Sequence, residues 1–475
     1  MLKFTTIKKE NPDKLLPNER SKNFNEIYAN YAKKKVEEQA SRCSQCGVPF
    51  CLVHCPLHNN IPDWLQLTAQ ERLKEAYEVS SATNNMPEVC GRICPQDRLC
   101  EGNCVIEKSG HGTVTIGSIE KYITDNAWEN NWVKKIEFEE EKDNSIGIIG
   151  AGPAGLTAAE QLRKKGYQIT IYDRYDRAGG LLIYGIPNFK LEKEIVTKRI
   201  KRLKSSGINF ELNINVGKDI SFEKIYSMHD AVLIASGVYK SRNIGLNKHN
   251  YSNVIQALDY LTASNKTCLG DKVDEFIEGK LNAENKNVIV IGGGDTAMDC
   301  VRTAIRQKAK SVKCIYRRDK ENMPGSQREV ENAIEEGIDF NWLTLPIEYI
   351  GKSKVEKTNL VKMQLGSPDD SGRRRTEIQE GTEKLIDVDL VIEALGFEPE
   401  NLPLIFDEPK LNITRWGTLK INYKDMMTSI NGVFAAGDIV RGASLVVWGI
   451  KDGRDVAENI HKYLIDLKDT KRKVA

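Results

Sequence analysis

Two stretches of the chain share one pattern of hydrophobic and polar positions. In the first, an apolar run at residues 145–150 leads into glycines, a pattern with helical period covers residues 154–165, and a second apolar run follows at residues 168–172. A short continuous apolar run is typical of a buried parallel strand, and a period near 3.6 residues is typical of a helix. The pattern therefore predicts a strand–helix–strand unit.

The same pattern returns about 140 residues further along the chain. Residues 287–291 predict a strand, 292–294 a glycine turn, 296–308 a helix and 311–316 the next strand. Two such units predict an α/β fold with two Rossmann-like dinucleotide-binding domains. With 475 residues, the chain is long enough for about three domains.

The chain ahead of these units predicts helices. Residues 23–40 are expected to form an amphipathic helix that leads into a cysteine-rich region, and helical segments follow around residues 115–128. The charged run at residues 137–143 predicts a solvated linker between the helical part and the first strand.

Charge and hydropathy narrow the classes of function. Lysine and arginine number 69 against 67 aspartates and glutamates, so the net charge of +2 gives no support for a nucleic-acid binder. The N-terminus lacks the apolar core of a signal peptide, and no stretch approaches the ~20 apolar residues that span a bilayer. We expect a cytoplasmic protein with no membrane partner.

The cysteines are concentrated in one region, because eight of the eleven lie between Cys43 and Cys104. Thiols stay reduced in the cytosol, where clustered cysteines are metal ligands more often than disulfides. Eight thiols suit two 4Fe–4S clusters, and a proline directly after a cysteine is common in ferredoxins. The two halves of this block are Cys43-x2-Cys46-x4-Cys51-x3-Cys55-Pro56 and Cys90-x3-Cys94-Pro95-x4-Cys100-x3-Cys104.

Structural zinc is the main alternative to iron–sulfur clusters. Zinc sites also use closely paired cysteines, but the density of cysteines within each half favours the clusters, and disulfides are the least favoured alternative. His54 and His58 lie inside the block. We expect them at the surface or behind the ligands rather than as ligands.

The cysteine that precedes a proline leaves the cluster assignment open. In two-cluster ferredoxins such a cysteine ligates the other cluster. By the same logic Cys55 could join the second half, and a late cysteine such as Cys104 could take its place in the first.

The first glycine motif, Gly150-Ala-Gly152-Pro-Ala-Gly155, follows a predicted strand and opens a predicted helix. Its glycines allow a tight turn and let the backbone approach a pyrophosphate at the helix N-terminus. Asp173 ends the next strand and can accept a hydrogen bond from the adenosine ribose.

Two further motifs favour FAD over NAD at this first site. Arg177-Ala-Gly179-Gly180 follows the acid, and residues 432–438 form a strand ending in Gly437-Asp438, which resembles the flavin disulfide reductases. In those proteins the aspartate holds the ribityl chain of the flavin. The predicted FAD-binding residues are Gly150, Gly152, Pro153, Ala154, Gly155, Asp173, Arg174, Gly179, Gly180, Leu181, Gly437 and Asp438.

The three remaining cysteines exclude disulfide-reductase chemistry. No cysteine lies between Cys104 and Cys268, and Cys300 and Cys314 are too far apart in sequence to form the redox pair that such an enzyme places beside its flavin. We expect all three late cysteines to be buried and inert.

The second glycine motif carries arginines where the first carries an acid. Arg317 and Arg318 end the strand after the glycine turn. Guanidinium groups pair bidentately with phosphate, so this exchange favours NADPH through its 2′-phosphate. The predicted NADPH-binding residues are Gly292, Gly293, Gly294, Asp295, Thr296, Ala297, Arg317 and Arg318.

Four segments resemble the small (beta) subunits of bacterial NADPH-dependent glutamate synthases: residues 87–104, 114–120, 184–187 and 317–324. The resemblance covers essentially the whole chain, and the N-terminal part of dihydropyrimidine dehydrogenase is similar to the same unit. It implies three domains: a helical domain with two 4Fe–4S clusters at residues 1–140, a discontinuous FAD-binding domain at 141–278 and 395–475, and an NADPH-binding domain at 279–394.

The resemblance also implies which residues bind each cluster. One cluster would take Cys43, Cys46, Cys51 and Cys104, and the other Cys55, Cys94, Cys100 and a fourth ligand that is a glutamine in the dehydrogenase relative. The matching position here is Glu120, which we favour over Cys90 as the fourth ligand. Candidates for shaping the nicotinamide and flavin site are Gly180, Tyr184, Glu329 and Gly396.

These parts predict a converter of two-electron to one-electron transfer. NADPH gives a hydride, FAD accepts it, and iron–sulfur clusters pass single electrons, so no side chain need act as nucleophile or acid. The first hypothesis is the electron-input subunit for a large subunit that makes L-glutamate from L-glutamine and 2-oxoglutarate. The alternatives are the flavin subunit of a ferredoxin–NADP transhydrogenase and a non-catalytic, zinc-stabilised nucleotide-binding module.

Overall fold

Residues 3–144 form helices and connecting loops, as predicted, although one helix is shorter than expected. In this computed structural model, which describes residues 3–246, 250–368 and 374–474, the second helix covers only Lys33–Ser41 of the predicted residues 23–40. The preceding chain is irregular because the Asn23 side chain accepts a hydrogen bond from the Asn25 N–H at 3.0 Å. Tyr28 then pairs with Lys14 in an isolated bridge.

The regular elements follow one another in this order. The helices are α1 (Pro17–Arg20), α2 (Lys33–Ser41), α3 (Phe50–Val53), α4 (Ile61–Ala69), α5 (Leu73–Thr83), α6 (Pro87–Ile93), α7 (Val105–Lys108), α8 (Ile116–Glu129), α9 (Pro153–Lys164), α10 (Leu181–Tyr184), α11 (Lys193–Ser205), α12 (Phe222–Met228), α13 (Ala257–Cys268), α14 (Asp274–Ile277), α15 (Asp295–Arg306), α16 (Gln327–Glu335), α17 (Leu402–Ile405), α18 (Asp438–Arg441) and α19 (Val446–Val474). The strands are β1 (Ser145–Ile149), β2 (Gln168–Asp173), β3 (Asn209–Leu212), β4 (Ala231–Ile234), β5 (Lys240–Ser241), β6 (Val254–Gln256), β7 (Asn287–Ile291), β8 (Ser311–Tyr316), β9 (Asp339–Trp342), β10 (Thr344–Gly351), β11 (Val355–Pro368), β12 (Arg374–Ile378), β13 (Lys384–Asp387), β14 (Leu390–Glu393), β15 (Phe397–Glu398) and β16 (Val433–Ala435).

Helix α8 confirms the helix predicted around residues 115–128. Its apolar positions Ile116, Ile119 and Ile123 are buried together with Trp64 of α4. The spacing of three and four residues places these isoleucines on one face of the helix. This face forms the core of the helical region and lies next to the cysteines.

The first parallel sheet has the strand order β16-β4-β1-β2-β3. Strands β1 and β2 with the intervening α9 confirm the first predicted strand–helix–strand unit, and they pair in parallel register from Ser145 opposite Gln168 to Ile149 opposite Tyr172. Strand β16 joins this sheet from the far end of the chain. The sheet is therefore built from two separate stretches of the chain.

The second parallel sheet has the order β6-β14-β7-β8-β9 and contains the second predicted unit. Its edge strand β6, at Val254–Gln256, pairs with β14. Residues 254–278 therefore belong to this sheet and its helices, which moves the expected start of the domain from residue 279 to β6. Strands β10 to β13 add a small antiparallel sheet that the hydrophobic pattern did not predict.

The chain enters and leaves the second nucleotide domain at one place. Strand β5, on the way in, pairs antiparallel with β15, on the way out. The two connections thus run side by side between the two parallel sheets.

Residues 137–143 form no helix or strand, and most of them are exposed, as expected for a linker. Glu141 is held by Arg163, whose guanidinium donates to both carboxylate oxygens at 2.7 and 2.9 Å. Within the part of the chain that the structure describes, no helix combines the length and the apolar character that crossing a membrane requires.

Candidate functional site

Two adjoining pockets meet at the first glycine turn, beside β1, β2 and α9, and together form one groove. Gly150 has a φ of 111°, and a Cβ built on it would lie 2.4 Å from the carbonyl oxygen of Ala235, so only glycine fits there. At the end of β2, Asp173 accepts hydrogen bonds from the N–H groups of Ala151 at 2.6 Å and Tyr175 at 2.9 Å. The acid thus fixes the conformation of the turn.

The other end of the groove lies under the start of α19. Gly437 has a φ of 77°, and a Cβ there would lie 2.9 Å from that of Ala154. Burial raises the pKa of Asp438, whose carboxylate accepts a hydrogen bond from the Ser444 hydroxyl at 2.6 Å. The predicted FAD residues that line this groove are Gly150, Gly152, Pro153, Ala154, Asp173, Arg174, Leu181, Gly437 and Asp438.

Three further predicted glycines lie directly behind the turn. A Cβ on Gly155 would lie 2.0 Å from the carbonyl oxygen of Gly150. A Cβ on Gly180 would lie 2.9 Å from the Cα of Gly152, and Gly179 donates its N–H to the Ala151 carbonyl at 2.9 Å. They shape the turn through close backbone packing.

The groove contains side chains that the sequence motifs did not reveal. The Ser236 hydroxyl is buried, lines the groove and has no hydrogen-bond partner among the residues that the structure describes. Arg174 donates to both oxygens of Glu400 at 2.9 and 2.6 Å and lies over the Tyr239 ring. A bound dinucleotide would satisfy this unpartnered buried hydroxyl, so the groove fits FAD.

The second glycine turn has the same backbone geometry as the first. Gly292 has a φ of 143°, and a Cβ on it would lie 2.3 Å from the carbonyl oxygen of Ala394. Gly293 and Gly294 follow, and α15 begins at Asp295, with Thr296 partly and Ala297 fully buried.

The two arginines after β8 differ in exposure. Arg317 is exposed, whereas Arg318 is buried and its Nε has no hydrogen-bond partner within the described part of the chain. Among the described residues, no acidic side chain forms an ion pair with either arginine. Both guanidinium groups are thus available to an anionic ligand, which fits a nucleotide phosphate.

The four residues expected to shape the nicotinamide site lie in different places. Gly180 borders the flavin groove, and Tyr184 is buried nearby, where its hydroxyl donates to Asp176. Gly396 accepts a backbone hydrogen bond at the paired connections between the domains. Glu329 is buried in α16; although burial alone would raise its pKa, the neighbouring Arg302 and other cations lower it to about 2.

The cysteines surround two separate cavities. The inner cavity also contains Asn84, Gln96 and Glu120, and Val447 of α19 forms part of its wall. The cysteines that line it are Cys55, Cys90, Cys94 and Cys100. The outer cavity is lined by Cys43, Cys46, Cys51 and Cys104.

Glu120 lies in the inner cavity, and one of its two carboxylate oxygens already accepts hydrogen bonds. Asn59 and Asn84 each donate an amide N–H to its Oε1 at 3.1 Å, and the Ser80 hydroxyl donates to the same atom at 3.4 Å. The other oxygen, Oε2, is the one left to a ligand. Burial raises the pKa of Glu120 to about 7, so a carboxylate there favours a positively charged partner.

The inner cavity also contains a fourth thiol that could compete with Glu120. Cys90 is fully enclosed, and its Sγ donates a weak hydrogen bond to the Asn84 side-chain oxygen at 3.7 Å. Asn84 therefore contacts both candidates for the fourth ligand through different atoms.

The buried thiols of the two cavities would be protonated unless a metal ion stabilised their ionised form. Burial raises the pKa of Cys43 and of Cys55 to about 11, and that of Cys51 to about 12. Iron would supply the positive charge that a buried thiolate needs. Within residues 3–246, 250–368 and 374–474, no three His, Cys, Asp or Glu side chains are grouped so as to hold one metal ion.

The histidines and late cysteines lie away from the two cavities. His54 and His58 are exposed and line neither cavity. Cys300 and Cys314 are buried, as expected, but Cys268 is exposed, so the expectation of burial is wrong there. Cys268 is the last residue of α13, where the chain reaches the surface.

Two family models match separate parts of the chain. The model described as dihydropyrimidine dehydrogenase domain II, 4Fe-4S cluster, matches residues 20–132, and the model of pyridine nucleotide-disulphide oxidoreductases matches residues 144–453. The first match favours iron–sulfur clusters over zinc. Fold and site together define an oxidoreductase with an N-terminal 4Fe–4S domain followed by two nucleotide-binding domains, which confirms the predicted fold class.

Full-length relatives identify the family. The glutamate synthase (NADPH) small chain of Azospirillum brasilense is 59% identical, over 98% of this chain and 96% of the relative. The corresponding chain of Escherichia coli strain K12 is 43% identical, over 97% of this chain and 98% of that one. This chain belongs to the family of glutamate synthase (NADPH) small chains.

A solved structure supports the fold of the two nucleotide domains. FprA of Mycobacterium tuberculosis in complex with NADPH has a TM-score of 0.58 at 20% sequence identity, covering 69% of this chain and 86% of that one. At this identity the likeness concerns the fold alone.

Proposed function

We propose that this chain is the electron-input subunit of a glutamate synthase. It oxidises NADPH and passes the electrons through FAD and two 4Fe–4S clusters to a large subunit that makes L-glutamate from L-glutamine and 2-oxoglutarate. The observation that carries this proposal is the shared wall between the flavin groove and the inner cysteine cavity at the start of α19. Leu445, Val446 and Gly449 line the groove, and Val447 lines the cavity.

A second shared wall joins the two cysteine cavities. Ile116 of α8 lines both of them, and α4 contributes Ile61 and Trp64 to the inner cavity and Pro62 and Leu65 to the outer one. Flavin groove, inner cavity and outer cavity thus follow one another, and each shares a wall with the next. This order supports an electron path from FAD to the inner cluster and then to the outer cluster.

We assign each cofactor to a set of residues. The groove from Asp173 to Asp438 would hold FAD, and the second glycine turn with Arg317 and Arg318 would hold NADPH. Cys43, Cys46, Cys51 and Cys104 would bind the outer cluster. Cys55, Cys94, Cys100 and Glu120 would bind the inner one. When bound, these groups supply hydride acceptance and single-electron transfer; the chain itself fixes their positions.

Glu120 is the better fourth ligand of the inner cluster. Its Oε1 is fixed by Asn59, Ser80 and Asn84, which leaves Oε2 for iron. Hydrogen-bond donors behind a metal-binding carboxylate fix its orientation toward the metal. The Cys90 thiol instead donates a hydrogen bond, to the side-chain oxygen of Asn84. This contact does not orient the sulfur as the three donors orient Glu120.

An exposed apolar surface lies over the outer cavity. Val48 is 64% exposed, Phe50 47%, Val53 50% and Val105 41%, and Phe50 and Val105 also line the cavity. Exposed apolar side chains grouped in this way are typical of a protein–protein interface. We propose that the large subunit docks here, where an electron would leave the outer cluster.

The proposal includes a cytoplasmic location, because all eight thiols of the two cavities are unpaired and a reducing compartment keeps them available to iron.

The test uses anaerobically purified full-length chain with and without the large subunit. Iron, sulfide and flavin analysis should give about eight irons, eight sulfides and one FAD per chain. NADPH should reduce a small artificial acceptor with the chain alone, and glutamate should form from glutamine and 2-oxoglutarate only when the large subunit is added. Glutamate formation by the chain alone, or a colourless protein that binds zinc, would overturn the proposal.

The partner can be tested separately with the apolar surface. Phe50→Glu should weaken association with the large subunit by at least tenfold, whereas Tyr423→Glu, at an exposed aromatic outside both cavities, should leave it unchanged. Recovery of a ferredoxin-binding flavoprotein in place of a large subunit would favour the transhydrogenase alternative.

A further inference from the structure

The loop between Cys94 and Cys100 touches two functional sites at once. Both of its ends are cysteines of the inner cavity, and its middle residues Gln96, Asp97 and Arg98 contact the second nucleotide domain. No other segment that lines a cysteine cavity makes polar contacts so close to the second glycine turn among the described residues.

Asp97 acts as the cap of a helix in the other domain. Helix α16 begins after Ser326, whose own side chain does not cap it. Instead, Asp97 Oδ2 accepts a hydrogen bond from the Gln327 N–H and Oδ1 accepts one from the Ser326 hydroxyl, both at 3.3 Å. A carboxylate at this position satisfies a free N–H group and favours the positive end of the helix dipole.

Arg98 contacts the same region from the other side. Its Nη1 donates to the Pro324 carbonyl at 2.8 Å, and its Nη2 lies 3.7 Å from Oδ2 of Asp295. Asp295 is the first residue of α15, directly after the glycine turn. Arg98 therefore offsets a negative charge at the place where the pyrophosphate of NADPH would bind.

Residues 324–327 connect these contacts to the glycine turn itself. Gly325 donates its N–H to the Gly293 carbonyl at 3.0 Å, and Ser326 donates its N–H to Oδ1 of Asp295 at 2.9 Å. The segment is thus hydrogen-bonded to the turn on one side and to Asp97 and Arg98 on the other.

Gln96 completes the connection back to the inner cavity. Its side-chain oxygen accepts a hydrogen bond from Arg328 of α16 at 2.9 Å, and its amide donates to the carbonyls of Cys90 and Gly91 at 3.2 Å. Gln96 itself lines the inner cavity. A chain of hydrogen bonds therefore runs from the glycine turn to the wall of the inner cavity.

We propose that Asp97 and Arg98 are positioning residues that hold the NADPH-binding turn from the iron–sulfur domain, so that NADP(H) affinity and the reduction potential of the inner cluster depend on each other. This coupling rests on the proposed function, because it needs NADPH at the second turn and a cluster in the inner cavity. By thermodynamic linkage, any preference of NADP(H) for one redox state of the inner cluster must appear as an equivalent shift in the reduction potential of that cluster.

The first experiment measures NADP⁺ binding to holoenzyme by calorimetry. Asp97→Ala should raise the Kd about three- to fivefold, Arg98→Ala by a similar factor, and the double variant about 10- to 25-fold, since the two residues hold the segment through separate hydrogen bonds. Asp97→Asn should stay within twofold of the parent, since asparagine caps helices as well as aspartate does.

A matched control removes another cation that joins the N-terminal region to the same helix. Lys14 pairs with Glu335 at 2.6 Å, at the opposite end of α16 from the glycine turn. Lys14→Gln should leave the Kd for NADP⁺ unchanged. If Lys14→Gln weakens NADP⁺ binding as much as Arg98→Ala does, the loss of any cation between the N-terminal region and α16 has the same effect, and the proposal fails.

The second experiment titrates the inner cluster by EPR with and without saturating NADP⁺. A fivefold preference of NADP⁺ for one redox state corresponds to a shift of about 40 mV for a one-electron couple. The parent and Asp97→Asn should show a shift, and the double variant should lose at least half of it. Iron, sulfide and flavin contents are measured on the parent and on each variant. If the parent lacks these cofactors, the proposed function is contradicted and not the coupling alone. Unchanged affinities and shifts in fully loaded variants overturn this inference alone.

Discussion

The two cysteine cavities draw on two halves of the sequence with similar cysteine spacings, but their surroundings differ. The outer cavity has four cysteines and a border of exposed apolar residues, including Phe50 and Val105. The inner cavity has a buried carboxylate, Glu120, among its cysteines and shares a wall with the flavin groove through Val447. Spacing alone does not distinguish them, because the difference lies in what the rest of the fold places beside each one.

This difference assigns a direction to the proposed electron path. The inner cavity lies next to the flavin groove, and the outer cavity opens toward a surface on which a partner can dock. We therefore expect the inner cluster to receive electrons and the outer cluster to deliver them. The following predictions test that division from the largest expected effect to the smallest.

Removing a ligand of the inner cluster should have the largest effect. Cys100→Ser should lower glutamate formation with the large subunit at least about 100-fold, because the outer cluster is then cut off from the flavin. NADPH should still bleach the flavin absorption at the parental rate. Steady-state assays and stopped-flow spectra measure the two quantities.

The matched change in the outer cavity is Cys46→Ser. It should also stop glutamate formation, but NADPH should still reduce the inner cluster, as seen by EPR. If the two variants leave the same cluster reducible, the inner and outer roles are wrongly assigned.

Replacing Arg317 and Arg318 by alanine should slow electron entry to both clusters equally. Loss of the charge-assisted hydrogen bonds to the 2′-phosphate, about 1.5–3 kcal/mol, should raise the KM for NADPH by about 10- to 100-fold. The KM for NADH should change little, because NADH lacks that phosphate. A parallel rise for both nucleotides would contradict phosphate recognition by these residues.

The fourth ligand of the inner cluster should have a smaller effect on activity. Glu120→Gln should keep the cluster and shift its EPR signal and potential, since the amide retains an oxygen ligand without the charge. Cys90→Ser should leave both unchanged. If Cys90→Ser removes the EPR signal of the inner cluster while Glu120→Ala preserves it, Cys90 is the fourth ligand and Glu120 is not.

The smallest predicted effect concerns Lys193, which touches neither cavity and holds the loop after Gly180. It donates to the carbonyls of Leu182 and Ile186, and burial lowers its pKa from 10.5 to about 7. Between these two values the unfolded chain binds the extra proton, so stability should rise with pH from 7 toward 10.5, by at most about 1.4 kcal/mol per pH unit.

Thermal unfolding of the parent and of Lys193→Met at pH 7, 8 and 9 measures this effect. As the pH rises from 7 to 9, the melting temperature of the parent should increase relative to that of the variant. Parallel curves would show that Lys193 does not titrate in this window.

Local sequence patterns predicted the regular parts of the fold. Both strand–helix–strand units lie where apolar runs and glycine turns placed them, since these signals depend on near neighbours. The helix predicted over residues 23–40 is shorter because Tyr28 pairs with Lys14, and β6 joins the second sheet through its pairing with β14. Both differences come from contacts between distant residues, which periodicity does not contain.

The candidate site shows the same limit. Glycines, Asp173 and the clustered cysteines have fixed spacings and were found from the sequence. Ser236, Glu400 and Val447 were missed because they matter only through what the fold brings beside them.

The most direct test of the proposed electron path is rapid freeze-quench EPR of Cys100→Ser holoenzyme mixed with NADPH. We predict that the flavin is reduced at the parental rate while the outer cluster, bound by Cys43, Cys46, Cys51 and Cys104, stays oxidised. Reduction of the outer cluster at the parental rate would contradict the claim that electrons reach it only through the inner cluster.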